Sequence, residues 1–154
     1  GKKQKKELSE EDINITMELL REIKPHQVFI AGDQIDPNGT YTICLDIVKE
    51  ALNRLKGEKW MKDCWVWMYR GTNREWPISE VDMAVPLSPE EVIRKQQAIV
   101  KHTSQKEIPV FVGTNPKDAW QRAEDKNKVT AALYDNLGLP EYEGIEAFKR
   151  YKFE

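Results

Sequence analysis

The stretch IAGDQIDPNGTYTIC, Ile30 to Cys44, decides the predicted fold. It joins an apolar, β-branched run, Gln27 to Ala31, to a pattern of apolar residues at helical spacing that begins near Thr40 and closes before Gly57. Strand, loop and helix in this order are typical of α/β domains. Because ligands of such sheets bind beyond the carboxyl ends of the strands, the loop occupies the position expected for a site.

The remainder of the chain continues this alternation of strands and helices. A helix is predicted over residues 10–23, with Ser9 at its start and Pro25 at its end. Further strands are predicted over residues 64–69 and 81–87, further helices from Ser88 to about residue 102 and over residues 117–137, and an edge strand in the final GIEAFKRYKF. The pattern predicts one α/β domain over residues 9–154 with a mostly parallel sheet and helices on its faces, after a flexible basic arm at residues 1–8.

Composition excludes several classes of protein. The 154 residues are 40% hydrophobic and 32% charged, with a formal net charge of -2, which is ordinary for a folded globular domain. We therefore predict no nucleic-acid partner and no membrane partner, because there is no overall positive field and no run of roughly 20 apolar residues. Cys44 and Cys64 form no CxxC pair, so we expect two buried free thiols in a cytoplasmic protein. The polar start without Met leads us to expect a fragment of a longer protein.

The loop that follows the predicted strand Gln27 to Ala31 carries two carboxylates, Asp33 and Asp36. Such a pair could bind a cation, activate a water molecule or hold a sugar hydroxyl. The alternative is a structural turn, in which Asp36-Pro37-Asn38-Gly39 forms a β-turn and Thr40 caps the next helix. From the spacing alone we favour the turn.

The two histidines and the tryptophans carry less information. We expect His26 at the surface, whereas His102 clusters with Ser104 and Gln105 near a helix end, where a cationic imidazole is favourable in its own right. No HExxH, P-loop, GxGxxG or GxSxG motif is present. The loop from Arg70 to Pro77 contains Trp and Arg, which are enriched at protein interfaces, so it is a candidate contact for a homo-oligomer.

Several ordered motifs together resemble a known family. PHQVFIAGDQIDPNGTYTICLDIV and VDMAVPLSPEEVIRKQQAIVKHTSQ resemble strand, loop and helix segments of LmbE/PIG-L-type deacetylase domains. With WQRAEDKN, ALYDNLGL and YEGIEAFKRY, they look like the C-terminal domain of Bacteroidetes-type glucosamine-6-phosphate isomerases (deaminases), in which an isomerase domain precedes a deacetylase-like domain. The resemblance spans residues 24–153 and implies a Rossmann-like fold and, in active members, zinc-dependent removal of an N-acetyl group.

The resemblance also assigns site residues, with two departures. Asp33, Asp36, Asn38 and Tyr41 would occupy the site loop, and His102, Ser104 and Gln105 would form the family's H-x-S-Q ending. However, the family's His-Pro-Asp-Asp stretch is missing here, and Tyr41 stands about where a metal-binding His is expected. Because tyrosine is not among the usual zinc ligands, we predict no metal in this chain and reserve zinc for the full-length domain.

Three hypotheses follow. The first, which we favour, is a non-catalytic deacetylase-like module of an amino-sugar-phosphate isomerase, whose longer protein handles the amino-sugar or sugar phosphate. The second is part of a working zinc N-deacetylase that acts on an N-acetylated amino sugar. The third is a structural or oligomerisation domain.

Overall fold

The computed structural model of the chain describes residues 9–32, 39–71, 74–102 and 118–153. The helices are α1 (Glu10–Ile23), α2 (Thr40–Leu55), α3 (Pro89–Val100) and α4 (Ala119–Asp135). The strands are β1 (Gln27–Ala31), β2 (Trp65–Tyr69), β3 (Met83–Leu87) and β4 (Gly144–Arg150), and short 3-10 helices cover Lys59–Asp63 and Ile78–Glu80. The predicted α/β class is therefore confirmed, and the predicted boundaries agree with these elements to within about three residues.

The four strands form a mixed sheet in the order β1-β2-β4-β3. Only β1 and β2 run parallel, whereas β4 is antiparallel to both β2 and β3. The prediction of a mostly parallel sheet is therefore wrong. The apolar pattern of a segment reports how buried a strand is, but it does not report which way its neighbour runs.

The last strand also lies elsewhere than predicted. We expected β4 at a sheet edge, yet it lies between β2 and β3. Adjacent residues of β4 are both buried, since Ile145 is 3% exposed and Gly144 is also buried, as are Ala147 and Phe148. Because adjacent strand residues point to opposite faces, burial of both shows that β4 is covered on each face, and its pairing with β2 and with β3 makes it an interior strand.

Local sequence signals specify the helix starts. Ser9 and Ser88 each accept a hydrogen bond from the backbone N–H three residues later, and Asp12 and Glu91 bond back to the serine N–H groups, so both helices begin with the predicted capping box. Thr40 does not cap α2 as expected. Gly39 holds the cap position at φ 68°, in the left-handed region that glycine adopts without a steric penalty.

The chain divides into two compact units, which we describe separately. The first unit comprises residues up to Tyr69 together with residues 149–154. In it, α1 packs on α2, and the parallel pair β1 and β2 places Ile30 beside Met68. Its buried apolar side chains are Ile13, Leu20, Ile30, Leu45, Ala51, Leu52, Leu55, Met61, Cys64, Val66, Trp67 and Met68.

Two burial predictions for the first unit need correction. The apolar run of β1 is typical of a buried strand, but Phe29 is 49% exposed while Ile30 is 7% exposed, so the strand is covered well on one face only. Cys44 is exposed, because it points away from the buried face of α2 that carries Leu45 and Leu52. Cys64 is buried as predicted, and that burial raises the pKa of its thiol.

The second unit runs from Arg70 to Phe148. Here β3 and β4 form an antiparallel pair, and α3 packs against α4. Gly144 permits close approach of α4, since a Cβ atom at that position would lie 3.2 Å from the Cβ of Asn127. Across the described ranges, no helix combines the length and apolar character required to cross a bilayer.

Candidate functional site

Most of the predicted site residues lie outside the described residues. These are Asp33, Asp36, Asn38, Ser104 and Gln105. Their proposed roles therefore stay predictions.

The two remaining predicted residues are both exposed. Tyr41 lies in the first turn of α2, in the first unit, and is 60% exposed. His102 follows α3 in the second unit, and its backbone N–H donates to the carbonyl of Ile99 at 3.1 Å. The expectation that His102 lies near a helix end is confirmed, and so is the surface position of His26.

The described residues do not fit a zinc centre. Within the described part of the chain, no three His, Cys, Asp or Glu side chains converge on one point where they could hold a metal ion. A catalytic zinc needs three protein ligands, and the exposed phenol of Tyr41 is not one of the usual donors.

The first unit contains an open cleft of about 440 Å³ that no sequence motif indicated. The first turn of α1, one face of α2 and the residue after β4 meet there. The cleft is lined by Glu10, Ile13, Asp46, Lys49, Glu50, Asn53, Arg54 and Tyr151. Seven of these eight side chains are polar or charged, so the cleft suits a hydrophilic ligand rather than an apolar one.

A guanidinium group joins the two helices at one side of this cleft. Arg54 donates two hydrogen bonds to the carboxylate of Glu10, at 2.7 and 2.9 Å, and a third from Nε to Glu50 at 2.7 Å. These contacts raise the pKa of Arg54, and the hydrogen bond from Arg54 lowers the pKa of Glu10 below its ordinary value of 4.5. Because Arg54 already holds two carboxylates, it is not a free anion-binding group.

Tyr151 forms the other side of the cleft. Its backbone N–H donates to the carbonyl of Val66 at 2.9 Å, which anchors it beside β2. Its hydroxyl accepts a hydrogen bond from the amide of Asn53 at 3.1 Å, and the ammonium of Lys49 lies 5.4 Å from its ring centroid. The Asn53 amide oxygen is buried, and no described residue donates a hydrogen bond to it.

The polar lining of this cleft presents hydrogen-bond donors and acceptors on its two sides. Lys49 can donate a hydrogen bond to a hydroxyl or phosphate, and Asp46 can accept one from a hydroxyl or amine. Among the described residues that line the cleft, no two side chains form a nucleophile and base pair of the kind that covalent catalysis requires. Sequence reasoning missed the cleft because its members come from residues 10–13, 46–54 and 151, which converge only after the chain folds.

Two enclosed polar clusters occupy the second unit. In the cluster that we call the Trp76 cluster, Lys126 pairs with Glu75 at 3.2 Å and donates to the carbonyl of Arg70 at 3.1 Å. The Arg70 guanidinium lies 4.7 Å from the ring centroid of Trp76 and donates to the carbonyl of Glu75 at 3.2 Å. Trp76 is thus half-buried within its own unit, and the predicted role of its loop as an oligomer contact stays a prediction.

The second cluster is centred on Asn127, which is 2% exposed. Its side-chain oxygen accepts a hydrogen bond from Lys95 at 2.8 Å, and its amide donates to the carbonyl of Ile145 at 2.9 Å. Lys95 also forms an ion pair with Glu146. The cluster ties α3, α4 and β4 together and is fully engaged in structural contacts.

Comparison with known proteins relates the chain to one much longer protein. No protein-family model matches it. A protein of Bacteroides thetaiotaomicron named "Putative glucosamine-6-phosphate deaminase-like protein" is 53% identical over 153 residues. The match covers 98% of this chain but only 23% of that relative. Nearly the whole chain is therefore similar to one segment of a longer protein with that name.

Proposed function

We propose that this chain is a non-catalytic domain of a longer protein that deaminates glucosamine-6-phosphate to fructose-6-phosphate and ammonia. The observation that carries the proposal is the 53% identity over 153 residues to a protein named as glucosamine-6-phosphate deaminase-like. Because the chain spans 23% of that relative, the larger part of the relative is available to hold the reaction centre.

The finer parts of the proposal come from the sequence motifs. We assign the chain to the C-terminal, LmbE/PIG-L-like and Rossmann-like part of such a protein, acting in the cytoplasm. The mixed sheet departs from the mostly parallel arrangement that the alternation of strands and helices predicted. The parallel pair β1 and β2, with helices α1 and α2 in the same unit, is the part that agrees with it.

A second candidate function is supported by the position of the loop between β1 and α2. It leaves the carboxyl end of β1, where the N–H of Gly32 donates to the carbonyl of Tyr69 at 2.7 Å, and it ends at the start of α2. Ligands of parallel strands bind at this edge. In a longer domain that supplies further ligands, Asp33 and Asp36 would belong to a zinc N-deacetylase site.

Assays of two reactions test the favoured function. Ammonia release from glucosamine-6-phosphate and acetate release from N-acetylglucosamine-6-phosphate are measured for this chain and for the complete Bacteroides relative. We expect neither product from the chain and ammonia from the relative. Release of either product by the chain alone would contradict the non-catalytic assignment, and failure of the relative to release ammonia would contradict the amino-sugar assignment.

A metal titration separates the two candidate functions. It uses this chain and a chimera in which the chain replaces the matched segment of the Bacteroides relative. We expect Tyr41→His to raise zinc affinity in the chimera, because imidazole is a common zinc ligand. Calorimetry with an independent metal analysis measures this. Stoichiometric zinc in the unmutated chimera would favour the deacetylase, whereas an unchanged affinity in the variant would show that Tyr41 is misplaced.

A further inference from the structure

Helix α1 leaves a ridge of large apolar side chains in solvent. Ile15 is 59% exposed, Leu19 is 53% exposed and Ile23 is 60% exposed. Residues four apart lie one above the other on a helix, so the three form a continuous row. The buried face of the same helix carries Ile13 and Leu20 instead. Scattered exposed apolar residues are ordinary, but a continuous patch of them marks an interaction surface.

A row of carboxylates borders this ridge. Glu11, Glu18 and Glu22 are exposed and each follows the ridge along the same side of the helix, since residues four, seven and eleven apart return to one side. Among the described residues, these three carboxylates form no ion pair with a basic group. By contrast, Glu10 is held by Arg54, and Arg21 of the same helix is held by Glu58.

The shape of the ridge favours a helix as its partner. A row of side chains at every fourth position fits into the groove between equivalent rows of a second helix. The row of carboxylates then determines which charge the partner should carry, because a helix packed on the ridge would place its own flank beside Glu11, Glu18 and Glu22. A second copy of α1 would bring the same carboxylates there, and like charges at close range oppose association.

We propose that the ridge and acidic row of α1 form the docking surface for an amphipathic helix with an apolar stripe and a flank of Lys or Arg, supplied by the remainder of the longer protein. The length of the Bacteroides relative supports this origin of the partner helix. The chain matches 23% of that relative, so the other 77% of it could supply such a helix. The inference rests on the proposed function for the existence of that longer protein, but it does not depend on its reaction.

The first test measures the chemistry of the surface on this chain. Fluorescence anisotropy follows the binding of two synthetic helices of roughly 18 residues, long enough to be helical. Both carry the same Leu stripe, flanked by Lys in one and by Glu in the other. We expect the Lys-flanked helix to bind at least about tenfold more tightly, and Leu19→Lys to weaken it by at least about tenfold. Equal affinity for the two helices would overturn the proposal.

Matched variants control for general effects of the substitutions. Ile93→Lys changes a residue of α3 that is also 53% exposed, and it should leave binding unchanged. Glu18→Lys with Glu22→Lys should weaken binding about three- to tenfold at low salt and little at 1 M salt, where screening acts within about 3 Å. Asp63→Lys with Glu141→Lys makes the same change in net charge at other exposed sites and should have no effect. Equal losses in test and control variants would overturn the proposal.

The second test identifies the source of the partner helix. Leu19→Cys and, separately, Ile93→Cys are introduced with Cys44→Ser, because Cys44 is exposed, and maleimide labelling rates are compared in the isolated chain and in the chimera. We expect labelling at position 19 to slow at least about tenfold in the chimera and labelling at position 93 to stay unchanged. Unchanged labelling at position 19 would overturn the proposal, and so would protection in the isolated chain that grows with concentration, which would indicate a second copy. Neither readout uses enzymatic activity, so a failure here is distinct from a failure of the proposed function.

Discussion

The two units use the same kinds of charged side chain in different surroundings. In the first unit, Arg54 binds Glu10 at the open cleft, with side chains that are 35% and 69% exposed. In the second unit, Lys126 pairs with Glu75, with side chains that are 16% and 13% exposed. Water screens the first pair, so it stabilises the fold little although its hydrogen bonds are short, at 2.7 and 2.9 Å. In the enclosed pair each charge needs the other, because removal of one partner would leave a single charge that water solvates poorly.

The difference predicts that similar polar contacts contribute unequally to stability. Breaking contacts in the enclosed clusters of the second unit should lower the free energy of unfolding strongly, and breaking those at the cleft of the first unit should lower it little. The shorter distances are in the first unit, so distance alone would predict the opposite order.

The largest effect is expected at Asn127. Asn127→Leu removes the acceptor of Lys95 and the donor to the Ile145 carbonyl at a site that is 2% exposed. We expect the free energy of unfolding to fall by about 2–4 kcal/mol, since buried polar groups lose their partners. Urea denaturation followed by circular dichroism measures this. The control Asn14→Leu, at an exposed position of α1, should change stability by less than about 0.5 kcal/mol. Equal effects of both variants would contradict the comparison.

The next effect is expected in the Trp76 cluster. Lys126→Met leaves Glu75 without its cation, and we expect a loss of about 1–3 kcal/mol in the free energy of unfolding. The double variant Lys126→Met with Glu75→Gln should recover part of this loss, because it removes the uncompensated charge. A double-mutant cycle by urea denaturation gives the coupling. Strictly additive losses would show that the pair is solvated and that the two units do not differ.

A smaller effect is expected at the cleft. Arg54→Gln breaks the contacts to Glu10 and Glu50, and we expect the urea midpoint to move less than in either variant of the second unit. Adding 1 M salt to the wild type should weaken the same contacts, so the variant and the wild type should converge. A midpoint shift as large as that of Lys126→Met would refute the small contribution to stability that we assign to exposed ion pairs.

The smallest effect concerns pH. The hydrogen bond from Arg54 holds the pKa of Glu10 below its ordinary value of 4.5. The folded state therefore gains from the ionised carboxylate above pH 4.5, and this gain is lost as the pH falls through the lowered pKa. We expect Glu10→Gln to make stability slightly less dependent on pH below 4.5, as measured by melting temperature against pH. A steeper dependence in the variant would mean that the sign is wrong.

Element existence followed from local patterns. The capping boxes at Ser9 and Ser88 involve only residues three apart, so the starts of α1 and α3 could be located from sequence. The strand Gln27–Ala31 stood out because its apolar run is bounded by Pro25 and a glycine. These signals act over one or two turns of chain and do not depend on distant neighbours.

The arrangement of strands and the cleft could not be predicted in this way. The direction and interior position of β4 depend on pairing Met68 with Lys149 and Pro86 with Ile145, across many residues of chain. The cleft similarly depends on bringing Tyr151 to Asn53. The site residues proposed from the family resemblance, Asp33 and Asp36 among them, stay predictions, as does the single domain over residues 9–154.

The sequence by itself determined the α/β class, the helices with their caps and the approximate strand boundaries, because hydrophobic period and capping chemistry are local properties. Only the tertiary structure decided the mixed sheet, the exposed position of Cys44, the cleft beside Arg54 and the open ridge of α1. Ile15 and Ile13 illustrate the reason. Both are isoleucines of one helix, yet Ile13 is 1% exposed and Ile15 is 59% exposed, because burial depends on which face of the helix has a neighbour.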